Sequence, residues 1–202
     1  MARTHLRAMH LEQTQHVLRS LLRGMPHLLL GGVPKERAGE ERLAHRRLGI
    51  EPSGNVRLAS DAFGHGEPIP TRYTADGRSD EPPLRWSGVP AKAQSLALVV
   101  EDPDAPTPQP FVHWLLYGIP ADATSTDQAH ALGAKVGKNS MLKTGWGGCA
   151  PPKGDLAHRY FFQLFVLDRH LELPPGLGRS ALLFGMGGHL LGCAILIGTY
   201  RR

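Results

Sequence analysis

Three acid and imidazole side chains in this sequence sit where an apolar run meets a proline- or glycine-rich turn. Asp102-Pro103-Asp104-Ala105-Pro106 directly follows one such run. Its two prolines fix φ and withdraw two N–H donors, so the chain must leave a sheet rigidly here and present both carboxylates in a set geometry. The same residues also suit an Asx turn, in which an aspartate bonds its own backbone. His113 opens a second apolar run and His158 a third. Before His158 lies Gly147-Gly148-Cys149-Ala150-Pro151-Pro152-Lys153-Gly154-Asp155. Its glycines let backbone N–H groups turn inward as an anion-binding nest, and the proline pair stiffens the loop. Singly, each histidine is equally well explained as a packed, hydrogen-bonded residue. Together, Asp102, His113, His158 and the glycine loop can converge on one small polar cleft. Imidazole and loop N–H groups there would donate to an anion, each charge-assisted bond contributing ~1.5–3 kcal/mol. Asp102 would orient one imidazole and favour its charged form, or face the ammonium of a zwitterionic head group.

Asp102, His113 and His158 are also residue types that ligate zinc or serve a hydrolase. The motifs that would support that alternative are missing. The sequence has no His-x-x-x-His, no Cys-x-x-Cys and no serine in a nucleophile-elbow context. No catalytic residue, metal or cofactor is therefore expected.

The elements that must position these residues are short. Residues 95–101, 113–119 and 159–167 read as strands, the first two halted by Pro103 and Pro120. The third is apolar on both alternating faces, as a strand buried between layers must be. Residues 179–191 read as a helix despite three glycines, and Cys193 to Tyr200 as a last strand. With 24 Gly and 17 Pro in 202 residues, the chain is rich in turns. The fold expected is mostly β, a sandwich of short strands with a late helix, preceded by a helical N-terminal arm.

That arm occupies residues 1–54, and the main domain residues 55–202. Leu11, Leu18, Leu21, Leu22 and Met25 fall on one face of a helix expected over residues 6–25, with Arg7, Arg19 and Arg23 around it. A second helix is expected from Glu36 to Arg47, and a linker over residues 49–55. The whole net charge of +5 belongs to residues 1–50, which makes a nucleic-acid partner unexpected, since such readers carry their basic stripe on the folded face. The arm's apolar face should dock: a homodimer is expected, with peripheral membrane contact through residues 1–25 as the alternative. Cys149 and Cys193 read as reduced thiols, although a bridge between them is left open. No secretory signal or membrane span is legible, and the expected location is cytoplasmic.

The order and spacing of these motifs closely resemble the phosphatidylethanolamine-binding protein family, and within it the bacterial, Raf-kinase-inhibitor-like branch. The resemblance rests on Asp102-Pro-Asp-Ala-Pro106, His113-Trp114, and the glycine loop running through Pro151-Pro152-Lys153-Gly154 to His158-Arg159-Tyr160. Further matches are Gly66-Glu67-Pro68-Ile69-Pro70, Pro82 to Gly88, Gly188-His189-Leu190 and Gly198-Thr199-Tyr200-Arg201. It implies a non-enzymatic binding protein whose pocket for phosphate-bearing head groups comprises Asp102, His113, Gly148, His158 and Tyr160. Asp104 and Pro151 would support it. Inhibition of a kinase or protease by surface contact is the alternative that the resemblance suggests. Ala150 stands where the family often has glycine.

Overall fold

Side-chain alternation explains how the main sheet is built. The computed structural model describes residues 37–52 and 54–202. The helix expected over residues 6–25 lies outside them. In β3 (Ser95–Asp102), Leu96, Leu98 and Val100 join one core cluster and Ala97 and Val99 the other. β4 (Phe111–Pro120) and β6 (His158–Leu167) flank β3, both antiparallel to it. The edge strands β5 (Lys135–Val136) and β7 (Leu190–Tyr200) complete the order β5-β4-β3-β6-β7. β6 is apolar on both faces from Tyr160 onward, Gln163 excepted, because both faces are covered: Phe162, Leu164 and Val166 belong to one cluster, Phe165 and Leu167 to the other.

The first cluster also takes Leu58, Leu84 and Trp86 from a smaller antiparallel sheet, β1 (Arg57–Ser60) with β2 (Leu84–Ser87). The second is closed by Ala44 of α1 (Ala44–Arg47) and by Leu182 and Met186 of a late helix. A short α2 (Thr126–Ala131) intervenes before that helix, α3 (Arg179–Met186). The protein is thus mostly β with a late helix. The β3–β4 register shifts twice, passing over Gly118 and His113, and the Gly118 φ of 61° is the left-handed geometry that glycine tolerates. The edges of the five-stranded sheet are short at β5 and covered at the end of β7. β5 has two residues, and the outer side of β7 is bonded by the segment before it in space: Gly66 N–H donates to Ile197 O (2.7 Å), Ile69 N–H to Thr199 O (2.7 Å), and Thr199 N–H to Glu67 O (2.9 Å).

Two expected elements are placed differently. The helix of residues 179–191 stops at Met186, because Gly187 and Gly188 adopt extended and left-handed backbone (ψ 131° and φ 77°) rather than helix, and the last strand begins at Leu190. The helix of residues 36–47 is instead one 3-10 turn (Glu40–Arg42) and α1, broken at the buried Leu43, whose ψ is 155°.

Residues 37–50, read as arm and linker, pack against the main sheet, and the compact unit of the described residues includes them. The cause is polar. Glu101 and Gln163 are fully buried in otherwise apolar strands and need partners. Ala44 N–H donates to Glu101 Oε2 (2.8 Å), and His45 N–H and Nδ1–H donate to Gln163 Oε1 (3.0 and 2.9 Å). Gln163 Nε2–H donates to Glu101 Oε2 (2.7 Å), and Arg179 pairs with the other carboxylate oxygen. Cys149 and Cys193 are both free and buried, one in each core cluster, so the sheet separates them.

Candidate functional site

Antiparallel pairing brings the site together. β4 and β6 both run opposite to β3, so their first residues flank its last one; Asp102 stands across from Phe111, and Glu101 from Phe161. His113 and His158 consequently meet Asp102 at one end of the sheet. All three are buried, at 4%, 1% and 3% exposure. They line a cleft of about 230 Å3 together with Ala105, Pro106, Phe111, Ala150, Pro151 and Pro152, among others.

Asp102 fills both roles the sequence offered it. Its Oδ1 accepts the N–H groups of Asp104 (2.8 Å) and Ala105 (3.0 Å), an Asx turn, while Oδ2 accepts Nδ1–H of His158 (2.8 Å). Asp104 reaches across to the start of β6, accepting Nε–H (2.8 Å), Nη2–H (2.8 Å) and the backbone N–H (3.0 Å) of Arg159. Burial pushes the Asp104 carboxyl up, and the Arg159 donors and charge more than reverse it, leaving it below the ordinary carboxylate range.

The two imidazoles are not equivalent. His113 donates Nδ1–H to Gly147 O (2.5 Å), and Gly147 N–H donates back to His113 O (2.8 Å). Phe111, Trp146 and Tyr160 pack around its ring at 5.0, 5.7 and 5.1 Å. Burial lowers its pKa, and the Gly147 carbonyl and Asp102 only partly oppose this. At neutral pH it is uncharged, and Nε2 offers a lone pair. His158 is the opposite case. Burial pulls it down, but the bond and charge of Asp102, helped by Asp155 with Oδ2 3.4 Å from Nε2, raise it above its ordinary value. Burial thus favours the neutral form of His113, while Asp102 and Asp155 favour the charged, donating form of His158, where the sequence suggested two donors.

Gly148 and Tyr160 stand behind this lining rather than in it. Ala75 N–H bonds Cys149 O (3.0 Å), pressing the glycine loop onto residues 74–79. A Cβ on Gly148 would lie 2.5 Å from Ser79 Oγ and 2.7 Å from Ala75 N. Gly148→Ala is expected to cost about 1–3 kcal/mol by overpacking, read as a lower urea midpoint at unchanged m-value. The Tyr160 hydroxyl is buried with no well-formed hydrogen bond among the described residues, its polar neighbour being the Cys149 thiol, and burial holds it far above the ordinary phenol range. Asp155 was missed by the sequence reading; its position three residues before His158, on the same loop, was the available signal. A more open hollow of about 500 Å3 lies at the other end of β3 and β4, by Ser95, Pro120, Lys135 and His170, with no buried charged group lining it.

The phosphatidylethanolamine-binding protein family model matches residues 59–201, which contain this entire constellation. The chain belongs to the phosphatidylethanolamine-binding protein family. Its relatives include a UPF0098 protein of Methanothermobacter thermautotrophicus, 44% identical over 153 residues, covering 73% of this chain and 99% of that one. Among solved structures, a phosphatidylethanolamine-binding protein homolog of Chlamydia trachomatis superposes with a TM-score of 0.69 at 36% identity, over 74% of this chain and 99% of that one. Escherichia coli YbcL, described as a member of the mammalian family, gives 0.68 at 29% over the same shares. In this member of the family, the packed residues 37–50 lie outside the family match.

Proposed function

We propose that this cleft binds a small anion of the phosphate-bearing head-group kind without chemically altering it, and that binding serves a regulatory role. The supporting observation is the asymmetry of the imidazoles. His158, whose charged form Asp102 favours, donates to a phosphate oxygen, while the neutral His113 accepts from a phosphate hydroxyl or from the ammonium of phosphoethanolamine. A hydrogen phosphate, which presents both a lone pair and a proton, complements the pair. Binding without turnover is favoured by the chemistry beside the cleft. Burial, reinforced by the Asp102 charge, pushes the Cys149 thiol well above its ordinary value, so it is no thiolate nucleophile. Among the described residues, no group of three or more His, Cys, Asp and Glu side chains is placed to hold a metal ion.

Two further parts of this reading concern the whole molecule. We place it in the cytoplasm on the strength of its two unpaired thiols, and as a homodimer held through the arm. Among the described residues, no helix is long and apolar enough to cross a membrane.

Inorganic phosphate and phosphoethanolamine should shift the imidazole NMR signals of His113 and His158 with millimolar or tighter affinity. The double variant His113→Ala/His158→Ala should lose the response while remaining folded by circular dichroism. Shifts centred instead on His170 and Lys135, or unchanged binding by the double variant, would overturn the assignment.

A further inference from the structure

The loops that frame the cleft are braced by a segment that the family match does not include. Residues 37–42 stand outside the cleft lining and bond both of these loops. On the Asp102–Pro106 side, Gly39 N–H donates to Pro103 O (3.2 Å), Arg37 Nη1–H to Asp104 O (2.7 Å), and Arg42 to Pro108 O. On the β6 side, Glu40 pairs with Arg159, and Arg37 Nη2 contacts both oxygens of Asp155 at 2.9 Å. The strap cannot slide, because Leu43, Ala44 and His45 behind it are buried and tied to Glu101 and Gln163. All of it lies upstream of the residues that match the family.

We infer that Arg37 is a positioning residue for the cleft, holding the Asp155 carboxylate so that it does not occupy the Nε2 of His158 that an incoming anion must use. Asp155 Oδ2 is the atom they contest: it is 2.9 Å from Arg37 Nη2 and 3.4 Å from His158 Nε2. The Nδ1 of His158 is already committed to Asp102, which leaves Nε2 as its one donor for a ligand. A carboxylate closing on Nε2 would satisfy that donor and repel an anion. The charged and titratable groups around His158 are Asp102 at the end of β3, Asp104 on the following loop, His113 on β4, Asp155 on its own approach loop, and Arg37.

The inference rests on the anion-binding reading of the cleft, and the test separates the two. Removing the guanidinium releases Asp155 toward Nε2 and withdraws a positive charge, and both effects raise the His158 pKa. Phosphate affinity nevertheless falls, because the donor is now taken. A loss of affinity with a more protonated imidazole is a signature that a merely structural role would not produce. In the full-length protein, Arg37→Gln is expected to raise the His158 titration midpoint measured by NMR without ligand. It should also weaken inorganic phosphate binding roughly three- to fivefold, the range of a partly exposed ion pair. Arg37→Lys should restore part of the affinity, and Asp155→Asn combined with Arg37→Gln should remove most of the loss. If wild-type protein fails to bind phosphate, the function reading falls, and the ligand-free His158 titration alone decides the role of Arg37. An unchanged or lowered midpoint in Arg37→Gln would overturn it, as would equal losses with and without Asp155.

Discussion

Asp102→Asn is expected to move His158 from above the ordinary imidazole value of about 6.5 to below it. Burial alone depresses this ring, and the Asp102 bond and charge chiefly hold it up. Asparagine keeps an Oδ1 for the Asp104 and Ala105 N–H groups, so the turn that shapes the loop survives the exchange. What is lost is the carboxylate facing Nδ1 of a 1%-exposed histidine. Phosphate affinity at neutral pH should drop by about tenfold or more, since a charge-assisted bond becomes a neutral one at best. Sulfate, whose own charge is constant across the range, gives the clearest profile. Wild-type binding should weaken as pH rises through the raised His158 value, and in the variant that loss should move to lower pH. His113, with its lowered value, adds a second donor only in acid. The contribution of the Asp102–His158 pair to stability has the same sign. It is fully present below the unfolded imidazole value and lost as pH rises through the raised folded one. A His158 titration unmoved by Asp102→Asn would show that the pair does not control the ring.

The second large effect is thermodynamic. Glu101 is fully buried, and its carboxylate serves Ala44 N–H, Gln163 and Arg179 together. Glu101→Gln leaves the Arg179 charge without its partner and presents an amide where donors converge. Breaking a buried pair from one side costs ~3–5 kcal/mol, and the slight exposure of Arg179 favours the lower end, about 3 kcal/mol. Urea unfolding measures it. Substituting Arg179→Met in the same background should recover part of the loss, because the stranded charge is then gone. A cost below about 0.5 kcal/mol, typical of an exposed pair, would mean that the network does not hold residues 37–50 to the sheet.

The strands were legible because their chemistry is local. Apolar runs ended by Pro103 and Pro120 can hardly be anything but strands in this chain, and the both-faced β6 announced two covering layers. Asp102, His113 and His158 were legible for the same reason, each sitting at a strand end marked by a breaker. Their different protonation was not. It depends on which atom faces each ring, a carbonyl for His113 and a carboxylate for His158, and those partners are 34 and 56 residues away in sequence. Residues 37–50 read as arm and linker because a short polar helical pattern runs into Gly49 and Pro52, which punctuate a segment without periodicity. Their polar backbone in fact answers two buried side chains, Glu101 and Gln163, whose need is visible only once the sheet is assembled. Gly187 and Gly188 posed the reverse problem: a helical pattern continued through residues whose backbone freedom ended it.

The bonding of residues 66–69 along β7 bears on how copies of this protein can associate. An unpaired strand invites another chain to add itself to the ladder, the route by which many β proteins template fibres or swap domains. Here that row of donors and acceptors is answered from within at Ile197 and Thr199, and the opposite border offers only the two residues of β5. The end of β7 so covered and the two-residue β5 give a foreign strand little length on which to find register. An assembly through that end of β7 must then be made by side chains meeting side chains, a mode that point substitutions can tune or abolish without touching the ladder itself.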